Sequence, residues 1–390
     1  MNILFLTIEW PCSGGVETVT RVLSNAFINR GNNVCVCYFR KTVLEAEVNS
    51  AVKQFIFPVQ SHILARDNID FLKNILVENK INIVINQHSN QVEYAELAIK
   101  AKSNEQVCLI TCTHGSFFKD IKSIFLHKKK YFFAQEKHAN LLFRIPYCIY
   151  LYLKAYFRFK ASEKVYDLSD RMVYLSNGYI EQIKQKYPKK NLNKLATIFN
   201  PIPKMPETDV NFSVKEKNLL FVGRMDEPTK RMSLILKFWE IICNKYPDWS
   251  LIFVGDGKDL EKTQELAKNL PRVHFEGFRE PEEYYKKSPI FLMTSSTEGL
   301  PMTLIESQSF GCALIAMSSF ASLPDIIQDG ENGFIVPNND LNIFTKKICL
   351  LMDNRDLREK MAKSGIESVK KFAIENVVDE WEKLFIEETL

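Results

Sequence analysis

The sequence lacks the features that mark membrane-spanning, zinc-binding or secreted proteins. Nowhere do 18 uncharged apolar residues follow one another, and no CxxC pair is present. The start, MNILFLTIEW, has no basic leader and reaches Glu9 before a signal-length apolar stretch has formed. The nine cysteines are odd in number and lie mostly inside apolar runs, which favours reduced thiols. We therefore expect a cytoplasmic protein without a transmembrane segment.

Neither sign of charge dominates the composition. The 390 residues include 51 Lys and Arg against 47 Asp and Glu, a net charge of +4. This balance excludes a wholesale nucleic-acid binder and a disordered acidic chain, so we expect no nucleic-acid partner. The 46% hydrophobic and 25% charged content is ordinary for a globular protein, and the length favours two domains.

One window departs from this even balance. Residues 117–164 hold 11 Lys and Arg against three acids, with 13 Phe and Tyr interleaved. Basic residues are attracted to anionic headgroups, and aromatic residues suit the membrane interface. The window predicts docking on an anionic membrane surface, which would make the protein peripheral on the inner face of the plasma membrane. The alternative is a solvated basic face above core aromatics.

Short apolar runs alternate with amphipathic stretches along the chain, which is the pattern of βαβ units. The segment PIPKMP, residues 201–206, has three prolines in six positions and indicates a linker. The alternation then starts afresh. We predict two doubly wound α/β domains, 1–203 and 204–374. An apolar stripe at helical spacing, Val377 to Phe385, predicts a last helix within 375–390.

In doubly wound sheets, ligands bind beyond the carboxyl ends of the strands. Gly14 and Gly15 follow the first strand and open a helix that could contact an anion, or they merely allow a turn. His114 follows the strand 107–113 and could bond a ligand, or it is structural. Arg224 and Lys230 follow the first strand of the second domain and suit a diphosphate, although a solvated basic loop is the alternative.

The most specific segment is SSTEGLPMTLIE, residues 295–306. Glu298 follows a strand, Pro301 suits the first turn of a helix, and Glu306 lies inside that helix among apolar residues. A carboxylate in such surroundings needs a hydrogen-bonding partner. The alternative is that one of the glutamates only caps the helix.

Together these motifs resemble the family 4 retaining glycosyltransferases of the GT-B fold. The resemblance rests on Gly-Gly-Val-Glu near the start, Gly-Arg with a lysine six residues on, and two glutamates eight residues apart. The segment PDIIQDGENGF, residues 324–334, also matches the family's sequence after that helix. The resemblance implies two Rossmann-like domains facing a central cleft, the first for the acceptor and the second for the nucleotide sugar. The last helix would cross back to the first domain.

The resemblance also implies roles for individual residues. Glu306 would hold the ribose, Glu298 would face the donor sugar, and the base would lie near 274–278. The residues assigned to catalysis are Glu298, His114, Arg224 and Lys230. The residues assigned to substrate binding are Gly14, Gly15, Phe278, Gly299, Leu300, Met302, Thr303 and Glu306.

The implied reaction is transfer of a hexose or N-acetylhexosamine from a nucleotide sugar, UDP-linked by resemblance, to a glycan or lipid-linked acceptor. We expect no cofactor and no metal, because no Asp-x-Asp occurs and the basic residues can neutralise the diphosphate. A glycoside hydrolase also uses two carboxylates, but a diphosphate clamp has no purpose there. A sugar-nucleotide epimerase and a non-catalytic sugar-nucleotide-binding protein remain as alternatives. The sequence leaves the sugar, the acceptor, the linkage and the oligomeric state open.

Overall fold

The structure is a computed structural model that describes residues 1–11, 14–42, 48–102, 106–115, 141–189, 191–203, 205–206 and 210–389, without the side chains of 141–146 and 389. The chain forms two compact α/β units. Unit 1 comprises Met1–Leu175, Ile183–Ile198 and Val378–Leu390, and unit 2 comprises Ser176–Gln182 and Phe199–Val377.

Unit 1 is built on a parallel sheet of seven strands in the order β3-β2-β1-β4-β5-β6-β7. Most of these strands are apolar and buried, as expected for a parallel sheet covered on both faces. The strands are β1 (Asn2–Trp10), β2 (Asn33–Lys41), β3 (Lys53–Ile56), β4 (Ile83–Asn86), β5 (Cys108–Thr113), β6 (Arg171–Tyr174) and β7 (Leu195–Thr197).

The described helices of this half of the chain follow strands, as in other βαβ folds. They are α1 (Gly15–Asn29), α2 (Arg66–Glu78), α3 (Val92–Ala101), α4 (Leu141–Leu168) and α5 (Asn177–Lys186). The inner face of α1 packs on the sheet through Phe27, whose ring centroid is 6.2 Å from that of Phe5 on β1.

Unit 2 repeats the architecture with six parallel strands in the order β10-β9-β8-β11-β12-β13. The strands are β8 (Asn218–Val222), β9 (Ser250–Val254), β10 (Val273–Phe275), β11 (Ile290–Met293), β12 (Ala313–Ser318) and β13 (Gly333–Pro337). The helices are α6 (Glu227–Lys230), α7 (Met232–Ile242), α8 (Leu260–Ala267), α9 (Glu282–Lys287), α10 (Met302–Ser309), α11 (Leu323–Ile326), α12 (Leu341–Asp353) and α13 (Arg355–Ser368).

The core of unit 2 lies between its sheet and the helices α7 and α12. Phe238 and Trp239 on α7 are fully buried, and the Phe238 ring packs edge-on against Phe344 of α12 at 5.5 Å. The indole N–H of Trp239 donates to the carbonyl of Pro271, so this large buried side chain leaves no polar atom unpaired.

The last helix, α14 (Ile374–Thr389), begins in unit 2 and continues into unit 1. Phe385 packs against Phe27 with ring centroids 5.4 Å apart, and Arg171 donates to Glu388 at 2.5 Å. Asp379 accepts a 2.8 Å bond from Arg30 at the end of α1. The return of the C-terminal helix to the first domain is therefore confirmed.

Three details differ from the sequence expectations. Strand β3 was not predicted, because it is a short edge strand whose residues Lys53 and Gln54 are polar and exposed. The amphipathic stretch from Lys230 to Tyr246 suggests one helix, but the structure has the short helix α6 up to Lys230 and then α7 over Met232–Ile242. The segment Ser176–Gln182, which lies within the predicted first domain, belongs to unit 2.

The basic window is only partly described. Residues 117–140 lie outside the described residues, and the remainder of the window lies on α4. Within the described part of the chain, no helix is both long enough and apolar enough to cross a bilayer.

Candidate active site

The site in unit 2 lies where the sheet order reverses. Strand β8 has β9 on one side and β11 on the other, so the loops that follow β8 and β11 leave the sheet in different directions. Such a switch point leaves a crevice beyond the carboxyl ends of the strands, where doubly wound folds bind ligands. Arg224 and Lys230 follow β8, and Glu298 follows β11.

The loop after β8 is fixed by close backbone contacts with the turn after β9. The N–H of Gly223 donates to Val254 at 3.0 Å, and the N–H of Met225 donates to Asp256 at 2.8 Å. Gly255 has φ +133°, and a Cβ there would meet the Gly223 carbonyl oxygen at 2.0 Å, so only glycine fits. Arg224 projects from this fixed loop with 74% of its side chain exposed. Its guanidinium is 3.9 Å from Asp226 and is open to a ligand.

Lys230 and Glu298 form an ion pair. The Lys230 ammonium donates to Glu298 Oε1 at 2.6 Å, and the two side chains are only 15% and 14% exposed. A pair this well shielded is screened little by salt. The predicted phosphate-binding cation and the predicted sugar-binding carboxylate are therefore in direct contact.

Arg231, for which no role was predicted, supports the loop that carries this pair. It adopts the left-handed conformation, φ 54° and ψ 48°, between α6 and α7. Its guanidinium donates to the carbonyls of Thr294 and Ser295 and to the side chains of Asn338 and Asn339, the last two at 2.8 Å each. One side chain thus joins the loop that carries Lys230 to the end of β11.

The segment that carries Glu298 has a second support. The Tyr179 hydroxyl donates to the carbonyl of Glu298, and Tyr179 is buried. Tyr179 belongs to the segment 176–182, and at the start of that segment the Ser176 hydroxyl donates to Asp325. A Cβ on Gly178 would lie 2.0 Å from the Ala321 carbonyl, so glycine permits this close approach. Segment 176–182 therefore buttresses the Glu298 loop from within unit 2.

Helix α10 begins one residue later than predicted. Pro301 has ψ 94° and is the N-cap residue, so it precedes the helix instead of forming its first turn. Gly299 and the buried Leu300 connect Glu298 to this cap. The N–H of Leu304 donates to Pro301 at 3.0 Å. The amides of Met302 and Thr303 have no acceptor earlier in the helix and provide donors for an anion.

Glu306 lies one turn inside α10, where Oε2 accepts a 3.0 Å hydrogen bond from the Tyr285 hydroxyl. Burial raises the pKa of Glu306, the bond from Tyr285 opposes that rise, and the nearby Glu280 adds to it. Glu306 therefore has the hydrogen-bonding partner that was expected for a carboxylate among apolar residues. Its role in binding stays a prediction.

Phe278 is the predicted contact for the base and is 81% exposed. It follows Gly277, whose carbonyl accepts from the N–H of Gly255 at 2.7 Å. This bond joins the loop after β10 to the turn after β9. The same turn is bonded to the loop that carries Arg224. An exposed aromatic ring on a fixed loop offers a stacking surface to a ligand.

In unit 1, His114 lies at the carboxyl end of β5 and pairs with Gln87 after β4. The distance from its Nε2 to Gln87 Oε1 is 2.8 Å. Burial lowers the pKa of His114 to about 4, so the ring is neutral at pH 7. Because Gln87 Oε1 only accepts, Nε2 carries the proton and Nδ1 keeps a lone pair. A neutral acceptor suits a ligand hydroxyl better than a phosphate.

Two neighbours of His114 were missed by the sequence analysis. Gln87 is buried, and its Nε2 finds no hydrogen-bond partner among the residues that the structure describes. His88 accepts from the N–H of Ile8 through Nε2 at 3.0 Å, and burial lowers its pKa to about 4, with repulsion from His114, once that ring is protonated, as the smaller cause. The signal was present, since the run QHSN directly follows the buried strand β4.

The start of α1 carries a carboxylate as well as two glycines. Gly14 is the N-cap residue, and a Cβ there would meet Glu17 Oε2 at 2.2 Å. Burial raises the pKa of Glu17. A phosphate at this helix end would have to displace that carboxylate or meet it protonated. No described residue lies within 4 Å of a Cβ built on Gly15, so among the described residues its backbone is the accessible part of the motif.

The structure joins some of the predicted residues and leaves others unconnected. Lys230 and Glu298 are in contact, and Gly299 to Glu306 continue from them into α10. His114, Gly14 and Gly15 lie in unit 1, at the carboxyl ends of different strands. Two Rossmann-like units, the second with two glutamates, two cations and a helix N-terminus beyond the carboxyl ends of β8 and β11, match the GT-B class.

Comparison with known families agrees. Residues 13–204 match the family described as Glycosyltransferase Family 4, and residues 207–368 match Glycosyl transferases group 1. The two matches together extend over most of the sequence. The chain belongs to the glycosyltransferases that these two family descriptions define, one in each half of the chain.

Several similar proteins of known sequence are bacterial. An uncharacterized glycosyltransferase of Haemophilus influenzae is 29% identical over 54% of this chain and 60% of its own length. A Campylobacter jejuni N-acetylgalactosaminyltransferase, named for a diNAcBac-PP-undecaprenol-linked acceptor, is 26% identical over 52% of this chain and 57% of its own length. The chain thus spans less than two thirds of these relatives. The Escherichia coli O-antigen biosynthesis glycosyltransferase WbnH is 25% identical over 96% of both chains.

Solved structures share the fold at lower identity. The lipopolysaccharide outer core galactosyltransferase WaaB superposes with a TM-score of 0.69 at 19% identity, over 100% of both chains. The pneumococcal O-GlcNAc transferase GtfA, solved with UDP and GlcNAc, gives 0.71 at 12% identity, over 100% of this chain and 99% of that one.

Proposed function

We propose that this protein is a retaining glycosyltransferase that moves a hexose or N-acetylhexosamine from a UDP-linked sugar to a glycan or lipid-linked acceptor, without a metal ion. The observation that carries the proposal is the shielded Lys230–Glu298 pair beside the exposed Arg224 at the switch point of unit 2. The polysaccharide-assembly names of several relatives and the UDP bound to GtfA support the substrate classes.

Each group at the site has a task in this proposal. Arg224, Lys230 and the first amides of α10 bind the diphosphate, because cations and a helix N-terminus attract phosphate oxygens. Glu306 accepts from the ribose hydroxyls and Glu298 from hydroxyls of the donor sugar. Phe278 lies beside the base. In unit 1, the lone pair on His114 Nδ1 accepts from a sugar hydroxyl.

The chemistry follows from where charge develops. Breaking the anomeric bond leaves a nucleoside diphosphate anion, so fixed positive charge around the diphosphate stabilises the transition state. Arg224 and Lys230 supply that charge from the protein. The glycine turn fixes the backbone that carries Arg224, and Arg231 fixes the backbone that carries Lys230. No side chain at the site is assigned as a covalent nucleophile, and retention proceeds by front-face attack of the acceptor.

Before a donor binds, Lys230 is neutralised by Glu298. A diphosphate must therefore compete with Glu298 for the ammonium, or share it. Sharing leaves Glu298 free to turn one oxygen toward the sugar. In this way the pair links diphosphate binding to the placement of the carboxylate that contacts the sugar.

The alternatives differ in what they consume. An epimerase converts one sugar nucleotide into another with no acceptor, and a binding protein leaves the sugar nucleotide intact. Product analysis by mass spectrometry with a panel of sugar nucleotides, with and without polyprenyl-linked saccharides, separates the three. Glycosyl transfer predicts acceptor-dependent release of a nucleoside diphosphate.

The first test is Arg224→Ala. We expect UDP binding to weaken by about 1.5–3 kcal/mol, because a charge-assisted contact to the diphosphate is lost. Isothermal titration calorimetry measures the change. The matched control is Arg355→Ala, which removes an exposed arginine paired with Glu359 on α13. Equal affinity of the Arg224 variant and the wild type would remove Arg224 from the diphosphate site.

We also propose that the protein is cytoplasmic and that the basic, aromatic window 117–164 binds it peripherally to the anionic inner face of the plasma membrane. Helix α4 supports this with large apolar side chains that reach solvent next to Lys154 and Arg158. Phe157 is 66% exposed, which is unusual for a side chain of that size. The exposed apolar residues on α4 are Ile149, Tyr150, Tyr152, Leu153, Tyr156 and Phe157.

Vesicle co-sedimentation tests this surface. We expect Lys154→Glu/Arg158→Glu to reduce binding to phosphatidylserine-containing vesicles at least tenfold, since each basic group near the surface contributes about 1 kcal/mol. Added salt should weaken wild-type binding as well. Ile241→Ser/Leu266→Ser, which removes exposed apolar residues of unit 2, is the control. Vesicle binding that does not change with anionic lipid content, with salt or with the two α4 substitutions would contradict the proposal.

A further inference from the structure

Tyr285 is the partner that the sequence did not supply for Glu306. It lies on α9, is 1% exposed, and donates its hydroxyl to Glu306 Oε2 at 3.0 Å. Among the described residues, Glu306 Oε1 has no hydrogen-bond partner and Glu306 forms no ion pair. One oxygen of the carboxylate is thus fixed by the protein, and the other remains for a ligand.

Tyr285 is itself held on several sides. Its ring stacks on Phe310 at the end of α10, with centroids 5.9 Å apart, and lies 6.1 Å from Phe291 of β11. Its carbonyl accepts from Lys215 Nζ at 2.8 Å. The same ammonium donates to Phe310 at 2.7 Å and to Ser288 at 3.0 Å.

Lys215 therefore joins the ends of the two helices that carry the phenol and the carboxylate. A cation at the carboxyl ends of α9 and α10 also complements both helix dipoles. Packing and charge together fix the distance between the Tyr285 hydroxyl and Glu306. A group held in this way is prepared for its ligand before the ligand arrives.

The charges around Glu306 make the hydroxyl important for its ionisation. Burial raises the pKa of Glu306, and Glu280, in the loop before α9, raises it further. The Tyr285 bond is the main influence that lowers it. Lys215 lies on the carbonyl side of Tyr285, and no basic side chain of the described residues forms an ion pair with Glu306.

We propose that Tyr285 is a positioning residue for nucleotide binding. Its hydroxyl donates a hydrogen bond to Oε2 of Glu306 and so leaves Oε1 to accept from the ligand's vicinal hydroxyls. The inference rests on the proposed function, in which Glu306 accepts from the ribose. It adds a residue on another helix that orients Glu306 and maintains the carboxylate form that the ribose requires.

The test is the pH dependence of nucleotide affinity in Tyr285→Phe, which keeps the ring and removes only the hydroxyl. UDP, GDP and ADP are titrated by calorimetry from pH 5 to pH 8. We expect about tenfold weaker binding at pH 7. The loss of affinity toward acid pH should begin at a higher pH than in the wild type, because Glu306 without its donor is protonated more easily.

Two further variants complete the experiment. Tyr246→Phe is the matched control, since it removes another buried tyrosine's 2.9 Å bond to a carboxylate, Asp353. It should bind like the wild type. Glu306→Gln should bind weakly and lose the part of the acid-side pH dependence that comes from Glu306, because the amide cannot titrate. The part that comes from the nucleotide's terminal phosphate is common to all variants. Because acid unfolding of a destabilised variant could imitate the shift, circular dichroism at each pH checks that every variant remains folded over the titrated range.

The outcomes separate the inference from the proposed function. If Glu306→Gln binds nucleotide as the wild type does, or if no nucleotide binds the wild type, the proposed nucleotide site is wrong, and the inference with it. If Glu306→Gln weakens binding while Tyr285→Phe keeps the wild-type affinity and pH profile, the inference alone is overturned. A shifted profile in Tyr285→Phe but not in Tyr246→Phe supports it.

Discussion

Replacing Arg231 with alanine is expected to lower the free energy of unfolding by about 3 kcal/mol, the largest loss of stability that we expect from a single charged residue of unit 2. The substitution removes the arginine donor from the carbonyls of Thr294 and Ser295, of which Ser295 keeps the bond from the Ser319 hydroxyl, and it frees two asparagine side chains. Half-buried acceptors that lose a charged donor are costly. The loop that carries Lys230 also loses its attachment to β11.

Chemical denaturation monitored by circular dichroism measures this loss. Arg231→Lys keeps the charge but not the planar fork, so it should recover only part of the stability. Arg355→Ala, at an exposed pair, should change it by less than about 0.5 kcal/mol. Wild-type stability in Arg231→Ala would show that other contacts hold the loop.

Glu298→Gln is expected to reduce turnover by about 10²–10³-fold, the scale measured when one polar contact to a transition state is removed. UDP affinity should not fall, because Lys230 is released from its competing carboxylate. Lys230→Ala should behave in the opposite way and weaken UDP binding by about 1.5–3 kcal/mol. Release of UDP from the preferred UDP-sugar measures turnover, and calorimetry measures affinity.

Glu359→Gln is the matched control, since it disrupts an arginine–glutamate pair of the same 2.6 Å length on the exposed helix α13. It should leave turnover and affinity unchanged. Equal losses of UDP affinity in Glu298→Gln and Lys230→Ala would contradict the division of tasks between the two residues. Unchanged turnover in Glu298→Gln would remove Glu298 from the sugar site.

The charged residues proposed to contact the substrate could be found from the sequence. Glu298, Glu306 and Arg224 follow strands or sit in an apolar helix, where a charge needs a reason. The residues that hold them were not found. Arg231 reads as one more basic residue in a charged loop, and its left-handed backbone and four polar partners come from different strands and loops.

Tyr285 illustrates the same limit. A tyrosine in the sequence EEYYKK is equally consistent with an exposed helix, and its neighbour Tyr284 does reach solvent. Only the packing of α9 under α10 shows that the second tyrosine points inward to Glu306, 21 residues further along the chain. Gln87 and His88 were accessible in principle, because they follow a buried strand as the recognised residues do.

The sequence by itself determined the two α/β halves, since alternating apolar runs and amphipathic stretches depend only on local order along the chain. It also determined the chemical types of the candidate residues. The tertiary structure decided that Lys230 and Glu298 are paired, that segment 176–182 packs in unit 2, and that Pro301 precedes α10. These features depend on contacts between residues distant in the chain and on backbone angles set by those contacts, which no local pattern encodes.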